Sequence, residues 1–175
     1  LPFYDGANLA KKDVVLVSIN HRLNILGFLD LSDYGEKYKY SANAGVLDMI
    51  KALEWVNKNI ENFGGDPDNV TIFGQSGGGG KVNILLTTPG AKGLFHRGIS
   101  ESGSMIEMGS KEDAKKLGNA VVEKLGLNEK TIDEIQTMPY SQLLDAATEA
   151  LVGMDPNNVM YKFMGAAMAF SPCVD

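Results

Sequence analysis

Apolar residues follow two different rhythms along this 175-residue chain. Residues 14–20 (VVLVSIN) form a continuous, mostly β-branched run with no polar alternation. Such a run predicts a parallel strand buried on both faces. Over residues 44–62 the apolar positions Val46, Ile50, Leu53, Val56 and Ile60 recur at steps of three and four. That spacing predicts an amphipathic helix, with Asn43 available as its N-cap. Residues 21–43 lie between the two without a period, carrying Gly27, Gly35 and the tyrosines Tyr34, Tyr38 and Tyr40 among charges. They are expected to make a long surface excursion.

The helix is predicted to stop at Phe63-Gly64-Gly65-Asp66-Pro67, where glycine can supply a left-handed terminal turn and proline cannot continue the helix. Val70-Thr71-Ile72-Phe73 reads as a second strand and runs into a glycine-rich turn, after which residues 81–87 are expected to be helical. Arg97-Gly98-Ile99-Ser100 is a third short strand candidate. Strands alternating with helices imply an α/β fold, a central mostly parallel sheet with flanking helices joined by right-handed crossovers. Beyond Gly109 the pattern turns helical. Ser110 with Asp113 resembles a capping box, and Ala114, Leu117, Val121 and Leu125 form one stripe. Short helices are expected around Thr131 and Glu134 and over 142–151, ended by Pro156 and Asn157. The chain therefore divides into a sheet core over 1–105 and a mainly helical layer over 106–175.

Charge narrows the partners. Twenty-two acidic against sixteen basic side chains leave a net charge of -6, with no run of Lys or Arg that would track a phosphate backbone. Nucleic acid is not an expected partner. The longest apolar stretches fall short of the roughly twenty residues that a membrane span requires, so no membrane partner is expected either. Cys173 is the single cysteine, which excludes a disulfide within the chain and favours a reducing, cytoplasmic compartment. The chain opens at Leu1 without an initiator Met or an apolar signal core, and it is expected to be an internal stretch of a longer protein.

The chemistry concentrates at Gly74-Gln75-Ser76-Gly77-Gly78, a G-x-S-x-G motif between a strand and a helix. A serine on a sharp turn at the carboxyl end of a parallel strand must adopt strained backbone angles, and only small neighbours allow them. Gly74 and Gly78 are expected to supply that room. The turn would lift the Ser76 hydroxyl above the sheet as a nucleophile, where the start of the next helix offers N–H groups and its positive dipole end. The Gly77 N–H is then a candidate oxyanion donor. A phosphate-binding loop is the competing use of such glycines, and it fails here. Gln75 stands where G-x-x-x-x-G-K needs glycine, and Val82 follows Lys81 where Ser or Thr would hold magnesium.

The stretch from Phe63 to Gly78 (FGGDPDNVTIFGQSGG) resembles the active-site signature of the type B carboxylesterases, within the α/β-hydrolase superfamily. The likeness extends upstream through Tyr4-Asp5-Gly6, Ile19-Asn20-His21-Arg22-Leu23, Gly27-Phe28, Asn43, Gly45, Asp48, Ala52 and Trp55-Val56. Downstream it includes Gly93-Leu94-Phe95 and Ser102-Gly103. Gly77 to Lys81 look most like bacterial members of the para-nitrobenzyl esterase type. The departures are His21 and Met49, where many members have Tyr and Gln, Gln75 in place of a common Glu, and Gly77 in place of a common Ala. None removes a catalytic atom.

The resemblance implies a partial α/β-hydrolase fold, the internal part of one catalytic domain. It implies a carboxylic ester hydrolase acting through Ser76 and an acyl-enzyme, on small-molecule ester substrates, with no metal or organic cofactor. It also places an HGGG-like oxyanion loop before Leu1 and the acid and histidine of the triad after Asp175, in a chain about three times as long. His21 precedes Ser76, and His96 follows it too closely for the Ser, acid, His order. Both histidines are expected to be structural, and this stretch alone inactive. Trp55 is read as packing, the acidic Glu61, Asp66 and Asp68 as a solvated turn, and the Met-rich residues 154–168 as adaptable core. Ser102, ending the third strand, is placed to support the nucleophile. The competing readings are a non-catalytic, cholinesterase-like binding or adhesion domain and an inactive fragment. An intact nucleophile motif argues against the adhesion domain.

Overall fold

A computed structural model describes residues 5–103, 108–159, 166 and 169–174. The chain divides into two compact units, Leu1–His21 with Val46–Ile106, and Arg22–Gly45 with Glu107–Asp175.

In chain order the helices are α1 (Ala7–Ala10), α2 (Asn24–Phe28), α3 (Ala44–Asn59), α4 (Gly77–Thr87), α5 (Lys111–Lys124) and α6 (Tyr140–Met154). The strands are β1 (Thr71–Gln75) and β2 (Arg97–Glu101). In the first unit α3 realises the predicted stripe, with Val46, Met49, Ile50, Leu53 and Val56 all buried on one face. It passes into a 3-10 turn, Ile60–Phe63, that ends at Gly64 with φ 79. This is the left-handed stop that glycine permits without a steric penalty. The expected cap is replaced. Asn43 lies in a 3-10 turn, Ser41–Asn43, that leads directly into α3. Its buried amide instead exchanges hydrogen bonds with the backbone of Cys173, Nδ2 donating to O at 3.0 Å and Cys173 N donating to Oδ1 at 3.1 Å.

β1 and β2 pair in parallel with Thr71 opposite Arg97 and Gln75 opposite Glu101, and α4 connects them. This strand–helix–strand unit carries the candidate site. The first expected strand does not form. Residues 14–20 make no ladder, and Val14, Val15, Val17 and Ile19 are 39 to 50% exposed. An apolar run becomes a strand only when another strand takes up its N–H and C=O groups, and no described strand does so. β1 alternates between exposed and half-buried positions, and β2 is exposed throughout.

The second unit is helical, as expected beyond Gly109. Ser110 caps α5, its Oγ accepting from Asp113 N at 3.1 Å and donating to Asp113 Oδ2 at 2.8 Å. The core includes Val121 and Val122 of α5, Ile132 and Ile135 of a 3-10 helix, and Leu143, Ala147, Ala150 and Leu151 of α6. The surface excursion expected over residues 21–43 does not hold. Ile25, Leu29 and Leu31 enter the same core, with Tyr34 and Tyr38 packed against it. The five-residue helix α2 and the short turns after it deliver these side chains, a span too short to show a hydrophobic rhythm. The Met-rich residues 160–165, 167 and 168 lie outside the described residues. Among the described residues no helix is long and apolar enough to cross a membrane.

Candidate active site

β1 delivers Ser76 to its carboxyl end, and α4 starts one residue later, so Ser76 is the helix N-cap. Its backbone angles, φ 53 and ψ -120, lie in a region that residues with a side chain rarely occupy. Such a conformation costs roughly 1–3 kcal/mol and persists only where surrounding contacts enforce it. Two contacts are visible. Ser76 N donates to Glu101 O across the strands at 2.8 Å, and Ser76 O accepts from Gly80 N at 3.0 Å in the first turn of α4. The Ser76 side chain makes no capping bond, and the residue is exposed.

The glycines divide the labour differently from the expectation. A Cβ on Gly74 would stand 2.5 Å from Gly78 C and 2.6 Å from Gly78 O, so Gly74 is required for the bend. Gly78 faces open space, and its own lack of a side chain provides no room. Gly79 does so instead, since its Cβ would approach Glu101 O at 2.9 Å and Gly103 Cα and Gly74 O at 3.0 Å. Glycine is a poor helix former, by about 1 kcal/mol relative to Ala. The helix nevertheless begins at Gly77, because this close approach to the strand ends outweighs propensity.

Gly77 is exposed at the first helical position. The first N–H groups of an α-helix have no intrahelical acceptor, so this end of α4 offers donors and partial positive charge beside Ser76. Lys81, one turn on, places Nζ 3.4 Å from Gly77 O, and burial holds its ammonium below the usual lysine pKa. His21 is also below the ordinary histidine range, because of burial first and the Lys81 charge second, with Asp48 acting the other way. Its Nε2 is buried and has no hydrogen-bond partner among the described residues.

His96 sits at the opposite end of the sheet. Its Nδ1 accepts from Val70 N at 3.2 Å and its own N–H donates to Val70 O at 2.8 Å, fastening the amino ends of β1 and β2. At about 3.3 Å per residue, the length of β1 separates that end from Ser76. Trp55 is 47% exposed and packs against Phe63 at 5.8 Å between ring centroids. Asp66 Oδ1 accepts from Asp68 N at 2.8 Å, closing its own exposed turn. Motif reading gave no role to Gly79 or to Asn83, whose Nδ2 donates to Gly103 O at 2.6 Å, and named Gly103 only within the family likeness. One trace of them is visible in the sequence: Glu101-Ser102-Gly103 repeats the form of Gln75-Ser76-Gly77.

A parallel β–α–β unit with a strained serine between strand and helix belongs to the α/β-hydrolase class, and the structural neighbours are esterases of that fold. The chain belongs to the carboxylesterase family, whose pattern it matches over residues 2–175. It is 44% identical over 168 residues to the para-nitrobenzyl esterase of Bacillus subtilis (strain 168), covering 95% of this chain and 34% of that protein. It is 52% identical over 103 residues to the liver carboxylesterase of Sus scrofa, covering 58% of this chain and 18% of that one. A thermophilic PNB esterase superposes with a TM-score of 0.85 at 42% identity, over 99% of this chain and 34% of that one. The chain thus spans about a third of the length of its para-nitrobenzyl esterase relative.

Proposed function

We propose that this chain supplies the nucleophile of a serine carboxylesterase. The Ser76 hydroxyl oxygen attacks the carbonyl carbon of a small-molecule ester and passes its proton to a histidine acting as general base. The tetrahedral intermediate expels the alcohol, which takes up that proton, and leaves an acyl-enzyme that water cleaves by the same route. The Gly77 N–H stabilises the oxyanion, a contribution of roughly 3–4 kcal/mol for a donor of this kind. The observation that carries the reading is the backbone of Ser76, held at φ 53 with its residue exposed at the start of α4.

The general base comes from a part of the esterase outside these 175 residues. His96 is engaged at the far end of β1, and His21 has a buried Nε2 with no partner among the described residues and a lowered pKa. A serine without a base stays protonated near neutral pH and is a poor nucleophile. The 175-residue chain by itself is therefore expected to hydrolyse para-nitrophenyl acetate no faster than background.

The test is covalent labelling of the intact esterase with an organophosphate, followed by peptide mass spectrometry. The adduct is expected on Ser76, and Ser76→Ala is expected to lower kcat by about 10³-fold or more. An adduct on any other residue overturns the assignment.

A further inference from the structure

Ser76 and Ser102 share a construction. Gln75 and Glu101 are register partners at the carboxyl ends of β1 and β2, and the serine after each has a left-handed backbone, φ 53 and φ 52. Each serine is followed by glycine. Ser76 is held by the helix that begins immediately after it. Ser102 does not start a described helix, so its conformation must be imposed from elsewhere.

The segment around Ser102 is fastened along α4 on both sides. Before it, Ser100 Oγ donates to Gly79 O at 3.0 Å. After it, Gly103 lies so close to α4 that a Cβ would stand 2.5 Å from Gly80 N. The same glycine's carbonyl accepts a 2.6 Å hydrogen bond from Asn83 Nδ2. Asn83 lies two turns into α4 and is half-buried. Between these fastenings Glu101 O receives the Ser76 N–H at 2.8 Å. One side-chain amide thus closes a circuit from α4, through Gly103, Ser102 and Glu101, back to the backbone of Ser76.

Resting on the reading of Ser76 as nucleophile, we propose that Asn83 is a positioning residue for ester hydrolysis: by donating to Gly103 O it holds residues 101–103 against α4 and so keeps Glu101 O on the Ser76 N–H. Without that donor Ser102 is free to relax toward negative φ, and the neighbouring carbonyl moves with it. The nucleophile then loses an anchor on the side of β2. No contact between Asn83 and substrate is required.

The experiment uses the intact esterase and two variants. Asn83→Asp keeps the shape but, once ionised, faces Gly103 O with a second acceptor. Asn83→Leu keeps the volume and has no donor. Organophosphate labelling counts competent sites, so kcat for para-nitrophenyl acetate is expressed per labelled site and partial misfolding is divided out. Both variants are expected to lose about tenfold in kcat at neutral pH with KM little changed, the loss that one hydrogen bond of about 1.4 kcal/mol represents.

The pH dependence separates positioning from packing. A protonated carboxyl can donate to Gly103 O, so the Asn83→Asp to wild-type ratio is expected to rise as pH falls through titration of the introduced group. For Asn83→Leu the ratio is expected to stay flat. Wild-type kcat per labelled site in both variants overturns the proposal, and so does a pH-independent ratio for Asn83→Asp. A wild-type adduct away from Ser76 instead overturns the nucleophile assignment, which the labelling arm reads separately.

Discussion

The two units bury their apolar residues with unequal success. In the helical unit Val121 and Val122 are 0 and 1% exposed, and Ala147 of α6 is 0% exposed. In the sheet unit Phe73 of β1 and Ile99 of β2 are both 52% exposed, and the run at 14–20 lies open. A helix satisfies its own backbone and needs only one covered stripe. A parallel strand needs partners along its edges and cover on both faces. Two helices and a few turns complete the first requirement within a short stretch of chain, whereas two paired strands leave the second unmet. The helices of the sheet unit are the exception, with Val46, Ile50 and Leu53 of α3 and Val82 and Leu85 of α4 buried. At the strand ends the backbone also packs closely, since a Cβ on Gly103 would stand 2.5 Å from Gly80 N.

Mutations can break or sharpen that contrast. The largest effect is expected at the strand ends. Gly103→Ala would push a methyl group into the Gly80 backbone and is expected to cost about 3 kcal/mol, the upper range for overpacking. Gly78→Ala faces open space and is expected to be neutral or stabilising by up to about 1 kcal/mol. Urea unfolding of the two variants side by side measures the difference, and equal costs would show that the strand ends are not tightly packed.

Next comes the helical core. Val121→Ala removes two methyl groups from a fully buried position and is expected to cost about 2 kcal/mol in the same measurement, from transfer and residual cavity together. A smaller step is expected at the cap of α5. Ser110→Ala deletes the acceptor for Asp113 N and is expected to lower stability by about 1 kcal/mol, a loss that Ser110→Asp should largely restore. The smallest effect belongs to the open run. In the 175-residue chain Val17→Ser is expected to stay within about 0.5 kcal/mol. The same change in the full-length esterase is expected to cost more if the remaining strands cover this run. A cost in the short chain matching that of Val121→Ala would mean that residues 14–20 are buried there, and the contrast between the units would fall.

Legibility followed the range of the interactions. The α5 cap and stripe, the α3 stripe and the Gly64 stop all rest on contacts within a few residues, so spacing revealed them. Residues 14–20 read as a buried strand, yet they lie exposed and unpaired among the described strands, because pairing depends on strands far away in sequence. Residues 21–43 failed in the opposite sense, since Ile25, Leu29 and Leu31 reach a core through one short helix and the turn after it, too little chain to show a period. At the site, G-x-S-x-G located Ser76 because a strand, a cramped turn and a helix leave a local signature. Which glycines the turn requires was less legible. Gly74 and Gly79 are required by backbone brought close in three dimensions, and Gly78 is not.

Sequence alone determined the order of strand, bend and helix around Ser76, the helical character beyond Gly109 and the family resemblance, because each rests on neighbouring residues or on a contiguous motif. Only the tertiary structure decided that Glu101 holds the Ser76 amide, that Asn83 reaches Gly103, and that an apolar run lies open to solvent. Those outcomes depend on which backbone segments are brought within hydrogen-bonding distance, and no period or spacing along the chain encodes that proximity.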